Sequence, residues 1–286
     1  MLSNNPLGTI PELSLSHLID LQLENTSLTT LVFPKSYENC TNLQYVILSN
    51  NNLTQITSDH LKFFPLLRNI SLDNVGLNSL DSNTFLNQSN TLQSLSFESN
   101  SFKAAEFLST TPNLRSLNFD ANQFEQFPKE LLQLTQLKRF FFRNNEIHTI
   151  DELSPLFYWM KHNRSDIEIY LNNNPIDCCQ SRWFLRYLIG PKNLVKDFAN
   201  LTCASPKIFS GKRLVDLHID LMDCSDGPFY PSNVHFSKIG LILLSLFGLV
   251  IFILFVVGAT LYRRNRFHFR RRRQGYQIIH NDDRLI

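Results

Sequence analysis

The sequence predicts an α/β solenoid with a parallel inner sheet, followed by a single membrane-spanning helix. Two observations carry this expectation. An apolar pattern, LxxLxLxxNxL, returns along most of the chain, and one long uncharged apolar run lies near its end.

The pattern begins at Leu18, Leu43, Leu67, Leu92, Leu114 and Leu137, with a weaker copy at Asp166, so the intervals are 25, 24, 25, 22, 23 and 29 residues. Its asparagine slot reads Thr26, Asn51, Val75, Asn100, Asn122, Asn145 and Asn174. Positions four and six of each copy alternate inward on a short strand, as a period of two requires. The asparagine can satisfy backbone groups where the chain turns off the strand. The other half of each repeat returns along the outside and buries a second apolar set, Ile56, Leu80, Phe85, Phe127 and Ile150. Phe97, Phe119 and Phe142 fill a core slot where leucine would do. No repeat closes a core alone, so stacking is obligatory.

On these residues the chain resembles the leucine-rich-repeat family of the kind found in extracellular receptors, from about Leu2 to Cys224. The resemblance implies a horseshoe whose parallel strands line the inner curve. A partial repeat opens the chain at Leu2, Asn5 and Leu7, without the cysteine-bearing N-terminal cap usual in the family. The expectation is an N-terminally incomplete product, or a variant lacking its cap.

After the last repeat come Asn174-Pro175-Ile176-Asp177-Cys178-Cys179, Trp183-Phe184-Leu185, Cys203-Ala204-Ser205-Pro206 and Cys224. They resemble the family's C-terminal cap, with adjacent cysteines where the family has CxC. Four cysteines allow three connectivities. The resemblance implies Cys178–Cys203 and Cys179–Cys224. A bond between neighbours would close a strained ring. Zinc is the rival reading of clustered cysteines, against which stand the missing CxxC spacing and the extracellular context. Cys40 sits in a slot that is apolar elsewhere and reads as a buried thiol.

Residues 239–261 carry no charge over 23 positions. At roughly 1.5 Å per residue they reach about 35 Å, enough for a hydrocarbon core of about 30 Å. Seven arginines follow, Arg263, Arg264, Arg266 and Arg270 to Arg273. Residues 1–237 hold 18 Lys+Arg against 23 Asp+Glu, or −5; Lys238 adds +1; the rest holds 8 Arg against 2 Asp, or +6, which recovers the chain's +2. Positive charge behind a span fixes that side in the cytoplasm. The expected organisation is 1–173 repeats, 174–224 cap, 225–238 stalk, 239–261 transmembrane helix and 262–286 basic tail. That is a single-pass type I protein of the plasma membrane, with endoplasmic reticulum or endosome as alternatives. It needs a secretory leader, and none is visible, which agrees with a missing N-terminal part. The arginine run could instead be a nucleic-acid arm, but it follows directly on the span, so no nucleic-acid partner is expected. Facing the bilayer, it can hold anionic lipid.

Sequons stand at Asn25, Asn39, Asn52, Asn69, Asn87, Asn163 and Asn200, all ahead of the span. In the tail, Tyr276 and Ile279 match a Tyr-x-x-apolar sorting signal of the kind a clathrin adaptor reads.

Between the core leucines, side chains should face the concave surface in three columns. One contains Glu24, Asp73, Glu98, Asp120 and Arg143; a second Phe141 and Tyr170; a third Tyr45 and Arg139. Those nine residues are the candidate ligand site. It reads as a bipolar strip, acidic through the first five repeats and basic with an aromatic in the sixth, able to steer an oppositely patterned partner. A solvated polar face is the plainer alternative. The eight histidines form no HExxH or nucleophile arrangement, and there is no P-loop or GxGxxG. The expectation is a non-enzymatic recognition receptor without cofactor. It would bind an extracellular protein or glycan and signal through a co-receptor. Adhesion by the same face, or a truncated form of a larger receptor, are the alternatives.

Overall fold

The computed structural model describes residues 2–13, 16–191 and 193–224. The expected stalk, transmembrane helix, basic tail and sorting motif at Tyr276 and Ile279 lie outside them. Among the described residues no helix is long and apolar enough to cross a membrane.

Seven three-residue strands form one parallel sheet in sequence order: β1 Asp20–Gln22, β2 Tyr45–Ile47, β3 Asn69–Ser71, β4 Ser94–Ser96, β5 Ser116–Asn118, β6 Arg139–Phe141 and β7 Glu168–Tyr170. The register aligns equivalent positions, Asp20 with Tyr45, Asn69, Ser94, Ser116, Arg139 and Glu168. The middle residue of each strand, Leu21, Val46, Ile70, Leu95, Leu117, Phe140 and Ile169, is buried. The return segments are short 3₁₀ turns in several repeats, such as Lys35–Asn39, Glu106–Thr110 and Lys129–Gln133. Helix α1, Ser58–Leu61, serves one repeat and α2, Pro155–Lys161, another. Ser154 caps α2, its hydroxyl accepting from the Phe157 N–H, with Pro155 at the first helical position.

The core is continuous along the stack. Phe97 lies 5.6 Å from Phe119, Phe119 4.8 Å from Phe124, and Phe124 5.1 Å from Phe142, between ring centroids. Each large ring bridges neighbouring repeats, so no repeat's core is private to it. Cys40 is fully buried beside Tyr37 and belongs to neither disulfide. Burial pushes the Cys40 thiol up, and burial with the nearby Cys40 pushes Tyr37 up to about 12.

The asparagine slot holds the turns together. Asn51 Oδ1 accepts from the N–H groups of Thr26 and Leu28, and its amide donates to the carbonyls of Leu23 and Leu48. Asn100 repeats this with Val75, Leu77, Leu72 and Phe97. The residue before the slot is left-handed in every repeat: Asn4, Asn25, Asn50, Asn74, Ser99, Ala121, Asn144 and Asn173 all have φ between 52° and 63°. Asparagine tolerates that region better than most side chains, which accounts for the doubled asparagines. Val75 departs from the pattern. The Leu53 N–H that an asparagine would satisfy donates to the Val75 carbonyl, and Gly76 follows at φ 83°.

The first segment adds to the edge of β1, through Leu2 N–H to the Gln22 carbonyl and Asn4 N–H to Glu24. At the other end the cap covers β7. Lys196 N–H donates to the Ile169 carbonyl, and the Asp197 carboxylate accepts from Leu171 and Asn172. Disulfides join Cys178 to Cys203 and Cys179 to Cys224. Helix α3, Arg182–Leu188, lies between, and Arg182 donates to the Met222 carbonyl at 2.9 Å.

Candidate binding face

Period-two alternation on three-residue strands puts the first and third residues of each strand on the solvent face of the sheet. That face, expected to be concave, has three parts that differ in chemistry.

At β1 to β3, Tyr45 is 41% exposed and Ile47 is half-buried beside it. The middle is paved with small residues, Asn69, Ser94 and Ser116 in one row and Ser71 and Ser96 in the next. A shallow depression of 580 Å³ opens over Glu24, Ile47, Ser49, Ser71, Asp73 and Glu98. The acids of this depression are not equivalent. Asp73 is half-buried and saturated, accepting from the Ser71 and Ser96 hydroxyls at 2.7 and 2.5 Å and from the Glu98 N–H at 2.7 Å. Glu98 is exposed and accepts from the Asn118 amide at 3.1 Å. Glu24 accepts from Asn50 at 3.0 Å, and Asn50 in turn accepts from Asn74.

At β6 and β7, Phe141 and Tyr170 stack at 4.8 Å and 11°. The Arg143 guanidinium lies 5.6 and 5.7 Å from the two centroids. At these distances it is within cation–π reach of both rings. Asp120 fixes it there. One carboxylate oxygen takes Nε at 2.8 Å and Nη2 at 2.5 Å, and the other takes the Arg143 backbone N–H at 2.6 Å. The bond to Asp120 raises Arg143 above its already high value.

The bipolar strip therefore needs correction. Asp120 is only 3% exposed and its oxygens are occupied by Arg143, so it supports the face and is not offered to a ligand. The opposite signs expected to be separate along the strip form one pair. Asp73 likewise holds its neighbours in place. Lys138 pairs with Asp166 at 2.5 Å, which holds the Asp166 carboxyl below its usual range; Arg164 also bonds Asp166. Arg139 is exposed, with no side-chain hydrogen bond among the described residues. The accessible part of the predicted set is thus Glu24, Tyr45, Glu98, Arg139, Phe141, Arg143 and Tyr170. Among the described residues no group of three or more His, Cys, Asp or Glu side chains could hold a metal.

A family model, FBD-associated F-box protein At5g56370, LRR repeats, matches residues 8–153. The chain belongs to the leucine-rich-repeat family. Trophoblast glycoprotein-like of Mus musculus is 32% identical over 114 residues, 38% of this chain and 28% of that protein, so the match spans under a third of the relative's length. Among solved structures, human 5T4 (Wnt-activated inhibitory factor 1, trophoblast glycoprotein) superposes with a TM-score of 0.67 at 21% identity, covering 78% of this chain and 86% of that one. Toll in the Toll–Spatzle complex of Drosophila superposes at 0.55 with 20% identity, covering 71% of this chain and 32% of that one. At these identities the superpositions establish the repeat fold.

Proposed function

We propose that this chain is a single-pass type I recognition receptor of the plasma membrane. It binds an extracellular protein through the C-terminal third of the sheet face. The observation that carries this reading is the Phe141–Tyr170 stack with Arg143 pinned beside it by Asp120. Aromatic and arginine anchors are the residues that dominate protein interfaces. Held in place before binding, they lose little rotamer freedom when a partner arrives. The two cap disulfides suit an oxidising compartment. The apolar run 239–261 and the arginines behind it support the span, the bilayer contact and the orientation. The expected boundaries, repeats to 173, cap to 224, stalk to 238 and tail from 262, follow from the same reading. The relative in Drosophila, solved in complex with Spatzle, is a precedent for a protein ligand on this scaffold. Signalling would pass to a co-receptor, and Tyr276 with Ile279 would govern uptake through a clathrin adaptor. Serving a recognition surface by repeats, this chain is not an enzyme.

The test uses the full chain with an added secretory leader on intact cells. An N-terminal tag should be stained without permeabilisation and a C-terminal tag only after it; the reverse overturns the topology. Soluble ectodomains that bind these cells should lose at least about tenfold in affinity on Phe141→Ala, since a hot-spot residue is worth about 2 kcal/mol or more. Leu86→Ala, on the exposed side away from the sheet, should leave binding unchanged. Equal binding by all three forms overturns the assignment of the face.

A further inference from the structure

Most sequons of this chain lie off the sheet. Asn87 is in the 3₁₀ turn Leu86–Gln88, Asn163 follows α2 and Asn200 ends a turn of the cap, all three exposed. Asn69 is different: it is the first residue of β3, in the outward row, with Tyr45 on one side in register and Ser94 on the other. Around it the polar side chains are knit together. Ser71 donates to Asp73, Ser96 to Asp73, Asn118 to Glu98, and Ser49 shares a hydrogen bond with Ser71. The half-buried Asn69 carboxamide makes no side-chain hydrogen bond among the described residues. Beyond it, Ser94 and Ser116 leave the row open.

We propose that Asn69 carries an N-linked glycan seated on the sheet face, its first sugar resting on the Tyr45 ring, so that partner contact is confined to β5–β7. This rests on the secretory reading above. In the reaction, the Asn69 amide nitrogen attacks the anomeric carbon of an oligosaccharide linked to a lipid diphosphate. A carbon–nitrogen bond forms, the carbon–oxygen bond to the diphosphate breaks, the lipid diphosphate leaves, and the amide proton is lost to a base. The step belongs to the chain before folding, because in the fold the Asn69 N–H is already bonded to the Gln44 carbonyl and the Ser71 hydroxyl to Asp73.

The geometry provides the seat. Adjacent outward residues in a sheet have Cβ atoms about 5 Å apart, so a sugar on Asn69 is in reach of Tyr45, one of the exposed large apolar side chains. The apolar face of a pyranose covers an aromatic ring and keeps its hydroxyls in water, which suits an amphipathic Tyr. A branched glycan rooted there covers Tyr45, Ile47 and the serines of β3 and β4. It lies three strand spacings, about 14 Å, from β6, which leaves the Phe141–Tyr170 pair open. Tyr45 thereby becomes the glycan's support and not a ligand contact. A glycan here also covers the apolar part of the face nearest β1, which otherwise invites non-specific association.

The full chain with an added leader, purified from secretory cells, provides the test. Glycosidase release in heavy-oxygen water marks each occupied asparagine as labelled aspartate for mass spectrometry. Label is expected at Asn69 as well as at Asn87, Asn163 or Asn200. Iodination of folded protein should then spare Tyr45 and modify Tyr170. Asn69→Gln, or enzymatic deglycosylation of the folded wild type, should raise Tyr45 iodination several-fold with Tyr170 unchanged. Glycans at the other sites with Asn69 bare overturn this inference and leave the secretory reading standing; no glycan at any sequon overturns both. Occupied Asn69 with Tyr45 iodinated equally in all forms overturns the seating.

Discussion

Asn100→Val is the substitution whose cost the structure fixes most directly. Asn100 is 8% exposed and makes five hydrogen bonds: it accepts from Val75 N–H and Leu77 N–H, and donates to the carbonyls of Leu72, Phe97 and Glu98. Valine is apolar and of comparable size and leaves no large cavity, so the main loss is in hydrogen bonding. Four of the bonded groups, two N–H and the carbonyls of Leu72 and Phe97, lie on buried turns. At about 1 kcal/mol for each bond lost, the change costs about 4 kcal/mol, more if the orphaned groups stay dry. Nature already has a valine in this slot, Val75. There the Leu53 N–H reaches the Val75 carbonyl and Gly76 turns the chain, whereas Ser101 follows Asn100. Adding Ser101→Gly to Asn100→Val should therefore recover part of the loss. The assay is urea unfolding of the glycosylated full chain, followed by far-UV circular dichroism. A loss below about 1 kcal/mol would show that the asparagine ladder does not hold the turns and would refute the reasoning.

Other substitutions bear on separate parts of the account. Asp120→Ala should lower stability by about 1–2 kcal/mol, because it removes the charge-assisted hydrogen bonds to Arg143, whose 42% exposed side chain can turn to water; it should also weaken any partner that Phe141→Ala weakens. Tyr37→Phe should be neutral or stabilising by about 1 kcal/mol in thermal melts, since the buried Tyr37 hydroxyl has no hydrogen-bond partner among the described residues. Burial holds Tyr37 and Tyr187 at about 12, above the ordinary 10.0. The unfolded chain ionises first, so stability is complete below pH 10, falls as pH rises towards 12, and falls less in Tyr37→Phe. Cys179→Ser, which opens the bond to Cys224, should cost about 2–5 kcal/mol, read as a lower melting temperature.

The repeat was legible because its signal is periodic. The inward apolar residue of each strand, the outside set and the asparagine slot recur at fixed offsets; Ile56, Phe85, Phe127 and Ile150 of the outside set are buried as expected, whereas Leu80 is only half-buried. The columns of the sheet face were legible for the same reason, since register follows from period. What charge pattern alone could not tell was which acids are spent internally. Asp73 and Asp120 stand in the same column as Glu24 and Glu98. They differ because their shorter side chains reach the neighbouring repeat's backbone N–H, of Glu98 and Arg143 respectively. A short acid in a column of glutamates, one repeat ahead of an arginine in the same column, is the signal that could have found the Asp120–Arg143 pair. The left-handed residue ahead of each slot was hidden because Ser99 and Ala121 occupy it as well as asparagine.

On the proposed reading, the sheet face near β6 and β7 meets a protein partner outside the cell. A photoreactive amino acid placed at Asn118, beside Phe141 in register, in the full chain on intact cells tests it most directly. Irradiation should give a discrete protein adduct that disappears with Phe141→Ala, and the same probe at Leu86 should give none. Adducts at Leu86 with none at Asn118, or adducts formed only after the cells are opened, would contradict the account.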